Sequence, residues 1–200
     1  MIQMLSPEER EKSRADTLVK KDLSDGLWVF GYGSLMWNPG FPYLEMQTGI
    51  LEGYHRDFCI WAEFSRGTPE KPGLSLGLKP GGSSTGYLFK ISPELIEKTT
   101  IELWEREQKT GILMPVWATV KTQSSEIEAL VFVVDTSHEK FADLTPEEAA
   151  PHILEAKGSA GTCFDYLDST IKKLNDIGVT DDKLNLIMDQ VLKLKAQKGS

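Results

Sequence analysis

Trp28, Val29 and Phe30 run without a polar break into Gly31 and Tyr32, and so short and continuous an apolar run predicts a strand over Trp28–Tyr32 that is buried on both faces. A loop rich in proline and glycine follows (WNPGFPY). Beyond it, TGILEGYHRDFCIWA, LSLGLKP and TGYLFKI read as short strands, separated by the glycine turns RGTPEKPG and PGGSS. The period then lengthens. ISPELIEKTTIELWEREQKTG is helical, with Ser92 as its cap and Pro93 in its first position. MPVWATVKTQ and IEALVFVVD return to strand character, with a hairpin turn at Ser124-Ser125-Glu126.

The two ends of the chain are helical. Ser6-Pro7-Glu8-Glu9 and Thr145-Pro146-Glu147-Glu148 both spell a capping box, the hydroxyl and the carboxylate three residues on each satisfying an end N–H group. The second box opens a helix through about Ala156. Residues 162–177 form another, stopped by Gly178, and a last helix starts near Thr180. The first helix is highly charged and poor in core residues. Residues 1–26 therefore read as a helical extension, docked or partly mobile, ahead of a single domain over residues 27–196; Gly199 and Ser200 are set aside. Strands cluster before residue 135 and helices follow, without regular βαβ alternation. That order argues against a doubly wound sheet and fits an α+β fold, a small, strongly curved mixed sheet or barrel covered by helices.

Composition narrows the classes further. The 200 residues are 40% hydrophobic and 26% charged, enough for a real core under a solvated surface. No apolar run approaches a membrane span, and the acidic N-terminus lacks a secretory or transit pattern, so a cytoplasmic address is expected, with no membrane partner. A net charge of −8 disfavours nucleic acid as a partner. Cys59 and Cys163 form neither a CxxC pair nor a disulfide framework and read as structural. His55, His138 and His152 do not pair at metal-ligand spacing, and Ser34 is not in a G-x-S-x-G elbow.

Three stretches carry candidate chemistry. In GYGSL, glycines flank Tyr32 and precede Ser34. Glycine allows positive φ or close backbone approach, so the turn is either an anion-binding concavity or simple strand termination. In LWEREQKTG, Glu107 lies three residues after Trp104 and four after Leu103, on their helical face, while Glu105 and Arg106 point elsewhere. A carboxylate against that apolar wall loses hydration and becomes a proton acceptor near neutral pH; the alternative is a rim salt bridge. In GSAGTCFDYLDST, glycines lead to a helix carrying Tyr166, a structural tyrosine or a substrate contact.

WVFGYGSLMWNPGFPY, RDFCIW, RGTPEKPGLSLGLKPGG, LWEREQKTG with MPVW, and GSAGTCFDYL, in this order over roughly residues 27–175, resemble the ChaC-type, glutathione-specific γ-glutamylcyclotransferases. The resemblance implies the γ-glutamylcyclotransferase-like barrel with surrounding helices. It also implies an enzyme that cyclises the γ-glutamyl end of glutathione to 5-oxoproline and releases Cys-Gly, with no metal or other cofactor. Glu107 would be the catalytic residue. Val29, Phe30, Gly31, Tyr32, Gly33, Ser34 and Leu35, together with Tyr166, would bind the small-molecule substrate. Rival readings are a cyclotransferase for other γ-glutamyl amines or dipeptides, and a non-catalytic γ-glutamyl-binding module. Many members have Gly-Tyr after the glutamate where this chain has Gly111-Ile112, and Glu105 leaves a slipped register open.

Overall fold

The computed structural model describes residues 4–198; the first residues of the N-terminal extension and the Gly199-Ser200 end lie outside them. Five strands close into a barrel in the order β1-β3-β2-β4-β5: β1 Leu27–Gly31, β2 Glu45–Ala62, β3 Gly73–Ile91, β4 Leu113–Lys121 and β5 Glu126–Val134. Five helices accompany them: α1 Pro7–Leu18, α2 Ile96–Glu107, α3 Pro146–Glu155, α4 Cys163–Asp176 and α5 Asp182–Lys198. By its internal contacts the chain divides into two compact units. One comprises residues up to His55 with Pro80–Thr136, the other Arg56–Lys79 and the chain from Ser137 onward.

In the first unit β1 runs antiparallel to β3, from Leu27↔Ile91 to Gly31↔Tyr87, and parallel to β5 through Val29↔Leu130. β4 and β5 form a regular hairpin from Leu113↔Val134 to Lys121↔Glu126. The end of β1, the end of β5 and the start of β4 therefore share one rim. The turn after Gly31 and the junction between α2 and β4 both leave from that rim. β1 and the second half of β5 are buried throughout apart from Trp28, as continuous apolar runs require.

In the second unit, Thr145 and Glu148 form the expected capping box of α3, and Thr162 caps α4 through the Asp165 N–H at 2.9 Å. Neighbouring residues of β2 fasten the start of α5: Arg56 pairs with Asp181 and Asp57 with Lys183, each at 2.8 Å. Both cysteines are buried and free. Burial pushes the Cys59 thiol up to about 12 and the Cys163 thiol up to about 11, so each is an inert core residue.

Three expectations need correction. PGGSS is not a turn between strands: β3 continues through it, with Gly81 and Gly82 at φ +97° and +68° absorbing an irregularity inside one long strand. The stretches before and after it are therefore one strand. Ser92 does not cap α2. Pro93–Leu95 forms a 3-10 turn first, and the Ser92 hydroxyl donates to Glu94 Oε1 at 2.6 Å instead.

Candidate active site

At the rim where β1 ends, the chain folds into a 3-10 turn over Ser34–Met36. Its internal bonds use the N–H groups of Met36, Trp37 and Asn38, donated to the carbonyls of Gly33 and Ser34. The N–H groups from Gly33 to Leu35 are not consumed by those bonds, as at the start of any helical turn. Gly31, Tyr32 and Gly33 are buried and Ser34 is half-buried. Val29 and Phe30 are wholly buried, with their backbones in the ladder to β3.

Gly31 does not adopt positive φ, so backbone freedom is not what the site takes from glycine at this position. Close approach is. A β-carbon on Gly31 would stand 2.9 Å from Leu35 Cβ and 3.1 Å from the Phe89 ring, because Leu35 folds straight back over the strand end. Gly31→Ala is accordingly expected to cost about 1–3 kcal/mol by overpacking. A thermal melt showing no loss of Tm would refute this reading of Gly31.

α2 reaches the same rim with its C-terminal end. Leu103 and Trp104 are 1% exposed, and the Trp104 ring meets Phe132 of β5 edge-on at 5.2 Å. Glu107 follows on their face with a side chain 17% exposed. Burial raises its pKa above the ordinary carboxylate value, against the opposing charges of Arg106 and Lys109. Glu105 is exposed and lines a surface groove between α1 and α2, so the slipped register has no buried carboxylate to offer. Behind Glu107, Gln108 is buried and its amide donates to the Leu113 carbonyl, tying the helix end to the first residue of β4.

Arg106 was expected to point away, and it does not. Its Nη2 donates to Ser34 Oγ at 2.7 Å, its Nη1 to the Asn38 carbonyl at 2.8 Å, and its Nε lies 3.1 Å from Glu107 Oε1. One planar guanidinium thus bridges the glycine turn and the buried carboxylate, a span its fixed fork of donors suits. Helical periodicity could not reveal this, because a long side chain one position off the buried face can still curl over the helix end. The other group missed in the sequence is Ser84, on β3 three residues before Tyr87, hence towards the same rim. Its buried hydroxyl has no hydrogen-bond partner among the described residues.

Tyr166 belongs to the second unit. It is 7% exposed, edge-on to Phe58 at 5.5 Å, with the Arg66 guanidinium 4.7 Å above its ring. The histidines are dispersed: His55 contacts the Gly81 carbonyl, His138 accepts from the Lys140 N–H, and His152 meets the Trp61 ring. Among the described residues no three His, Cys, Asp or Glu side chains are grouped to hold a metal ion, and no helix is long and apolar enough to cross a membrane.

A family profile described as ChaC-like protein matches residues 27–194. The chain belongs to the ChaC-like family. It is 39% identical over 194 residues to the glutathione-specific γ-glutamylcyclotransferase of Escherichia coli K12, covering 96% of this chain and 84% of that one. It is 31% identical over 182 residues to γ-glutamylcyclotransferase 2-1 of Arabidopsis thaliana, covering 84% and 82%. Among solved structures, a γ-glutamylcyclotransferase specific to glutathione from yeast superposes with a TM-score of 0.79 at 22% identity, covering 84% of this chain and 96% of that one. That likeness establishes the γ-glutamylcyclotransferase-type barrel as this chain's fold. The ChaC-like profile begins at Leu27, so α1 lies ahead of the part it matches.

Proposed function

We propose that this protein degrades glutathione by intramolecular cyclisation, yielding 5-oxoproline and Cys-Gly, with Glu107 as the proton carrier. One observation carries the assignment of the base: a carboxylate with raised proton affinity, ion-paired to an arginine that also holds the Ser34 hydroxyl of the glycine turn. Membership in the ChaC-like family and the names of its relatives supply the substrate.

The reaction needs no external nucleophile. The substrate's α-amino nitrogen attacks its own γ-carbonyl carbon and closes a five-membered ring. The amine arrives as an ammonium ion, so its proton must first leave, and ionised Glu107 accepts it. A new C–N bond forms and the carbonyl oxygen takes up negative charge. The amide bond to the cysteine nitrogen then breaks, and Glu107 returns the proton to that nitrogen. The ring nitrogen then sheds its second proton through the same carboxylate to the released Cys-Gly amine, which leaves as an ammonium ion, so Glu107 ends ionised and no covalent intermediate forms. Desolvation raises the basicity of Glu107, and the charges of Arg106 and Lys109 oppose that rise.

The N–H groups from Gly33 to Leu35 are the donors best placed to hold the substrate carboxylate or the developing oxyanion. A donor of the latter kind is worth about 2.7–4 kcal/mol. Folding the flexible γ-glutamyl chain into its closing conformation can supply up to about 7–11 kcal/mol more. Val29 and Phe30 support the turn from within the core. Tyr166 is assigned to substrate on its GSAGTCFDYL motif; Tyr166→Phe is expected to raise KM about tenfold, the weight of one hydrogen bond to a charged group. An unchanged KM would remove it from the substrate site. The two free cysteines suit a reducing compartment such as the cytosol.

Product analysis tests the whole reading. Incubation with glutathione should release 5-oxoproline and Cys-Gly in equal amounts, with far slower turnover of γ-glutamyl-alanine. A preference for the dipeptide would transfer the protein to the broader cyclotransferases, and absence of product from either would leave a binding module.

A further inference from the structure

α1 is a poor core helix. Among its residues only Thr17 is buried, yet it is held to α2 and β4 by hydrogen bonds. The Trp104 indole N–H donates to Ser13 Oγ at 3.1 Å, and Arg14 Nη1 donates to Thr100 Oγ1 at 3.1 Å. The Trp117 indole N–H of β4 donates to the Thr17 carbonyl at 3.1 Å. Ahead of the helix, the Leu5 N–H donates to the Lys109 carbonyl at 2.9 Å, and the Leu5 side chain covers Gly111, its atoms 3.5 Å from where a β-carbon would stand.

These partners bracket Glu107. Trp104 precedes it by three residues on the same helical face, Lys109 follows it by two, and Gly111 turns the chain into β4 at φ +79°. The indole N–H of a tryptophan 1% exposed would have to find another acceptor if Ser13 were lost. The segment Gln108–Ile112 contains no regular secondary structure, so its aim depends on what it is pinned to.

Resting on the proposed function, we infer that Leu5 and Ser13 of the N-terminal arm are positioning residues, which hold the C-terminal end of α2 and the turn after it so that Glu107 is presented to the substrate. The arm touches no part of the glycine turn through these bonds. Its loss therefore acts on the proton-transfer step rather than on substrate affinity. This gives the extension ahead of the family-matched segment a catalytic duty rather than that of a mere appendage.

Leu5→Gly and Ser13→Ala in the full chain test the idea, with Lys12→Ala, on the solvent face of α1, as control. Assays run well below each variant's Tm, with rates referred to folded protein measured by circular dichroism. Both test variants should lose kcat about five- to fiftyfold with KM within twofold of wild type, while Lys12→Ala matches wild type. Loosening the turn lets water reach Glu107, whose charged neighbours are Arg106 and Lys109, so the acid limb of kcat/KM should move to lower pH. Hydrogen exchange over Glu105–Leu113 should rise in both variants. A lowered Tm with kcat, acid limb and exchange at wild-type values would overturn the inference, as would a change confined to KM. Absence of turnover in wild-type protein would instead strike the proposed function, and the exchange result would still decide whether the arm pins the turn.

Discussion

Glu107→Gln is expected to abolish cyclisation, lowering kcat by at least about 10³-fold while glutathione still binds, because the amide keeps the shape and loses the proton acceptor. The variant should also be more stable than wild type at neutral pH. The folded carboxyl holds its proton to higher pH than the unfolded one, since burial disfavours its charge. Between the two pKa values the folded state carries more protons, so wild-type stability falls as pH rises through that window. Above the window the penalty is present in full, and glutamine lacks it. A gain of about 2–4 °C in Tm at pH 8, shrinking towards pH 4, is the size a 1 kcal/mol effect produces in a chain of this length. The wild-type acid limb of kcat/KM should likewise lie above the ordinary carboxylate range of about 4.3. Full activity in the glutamine variant would take the base role away from this residue. A melt showing the variant less stable at pH 8 would mean that the carboxylate's ion pair outweighs its burial.

Arg106→Gln should cost about 10–100-fold in kcat/KM, the weight of one or two charge-assisted contacts. It removes the cation beside Glu107, so the carboxyl holds its proton more strongly and the acid limb should shift to higher pH. Arg106→Lys should recover the limb but only part of the rate. An ammonium keeps the charge, yet it cannot reach Ser34 Oγ, the Asn38 carbonyl and Glu107 Oε1 together as the guanidinium does. The upward shift is opposite in sign to that expected when the N-terminal arm is loosened, so the two routes to a slower enzyme separate on a pH profile. A glutamine variant with wild-type rate and limb would reduce the Arg106 bridge to a crystal-clear piece of scaffolding without catalytic weight.

Much of this protein is legible in one dimension because its signals are local. The capping boxes at Ser6 and Thr145 form as written, since hydroxyl, N–H and carboxylate all lie within one turn. The burial of Leu103 and Trp104 put Glu107 on a dry face, because helical period alone decides which residues share a side. The continuous apolar runs of β1 and β5 announced strands buried on both faces. The order of motifs from WVFGYGSL to GSAGTCFDYL pointed to the family that the profile match establishes.

Only the folded chain decided what each face meets. Periodicity says that Arg106 lies off the buried stripe; it does not say that the end of α2 abuts the Ser34 turn, where a long side chain finds four partners. Gly31 of GYGSL was compatible with two causes, and the nearness of Leu35 selected close packing over positive φ there. PGGSS carries every local mark of a turn, yet pairing with neighbouring strands carries β3 through it. The charged extension promised little, until Trp104, Trp117 and Lys109 supplied groups for it to bond. Sequence determined the conformations and faces that each segment prefers, because those follow from neighbours a few residues apart. Tertiary structure decided which of those faces touch, because that depends on residues brought together from distant parts of the chain.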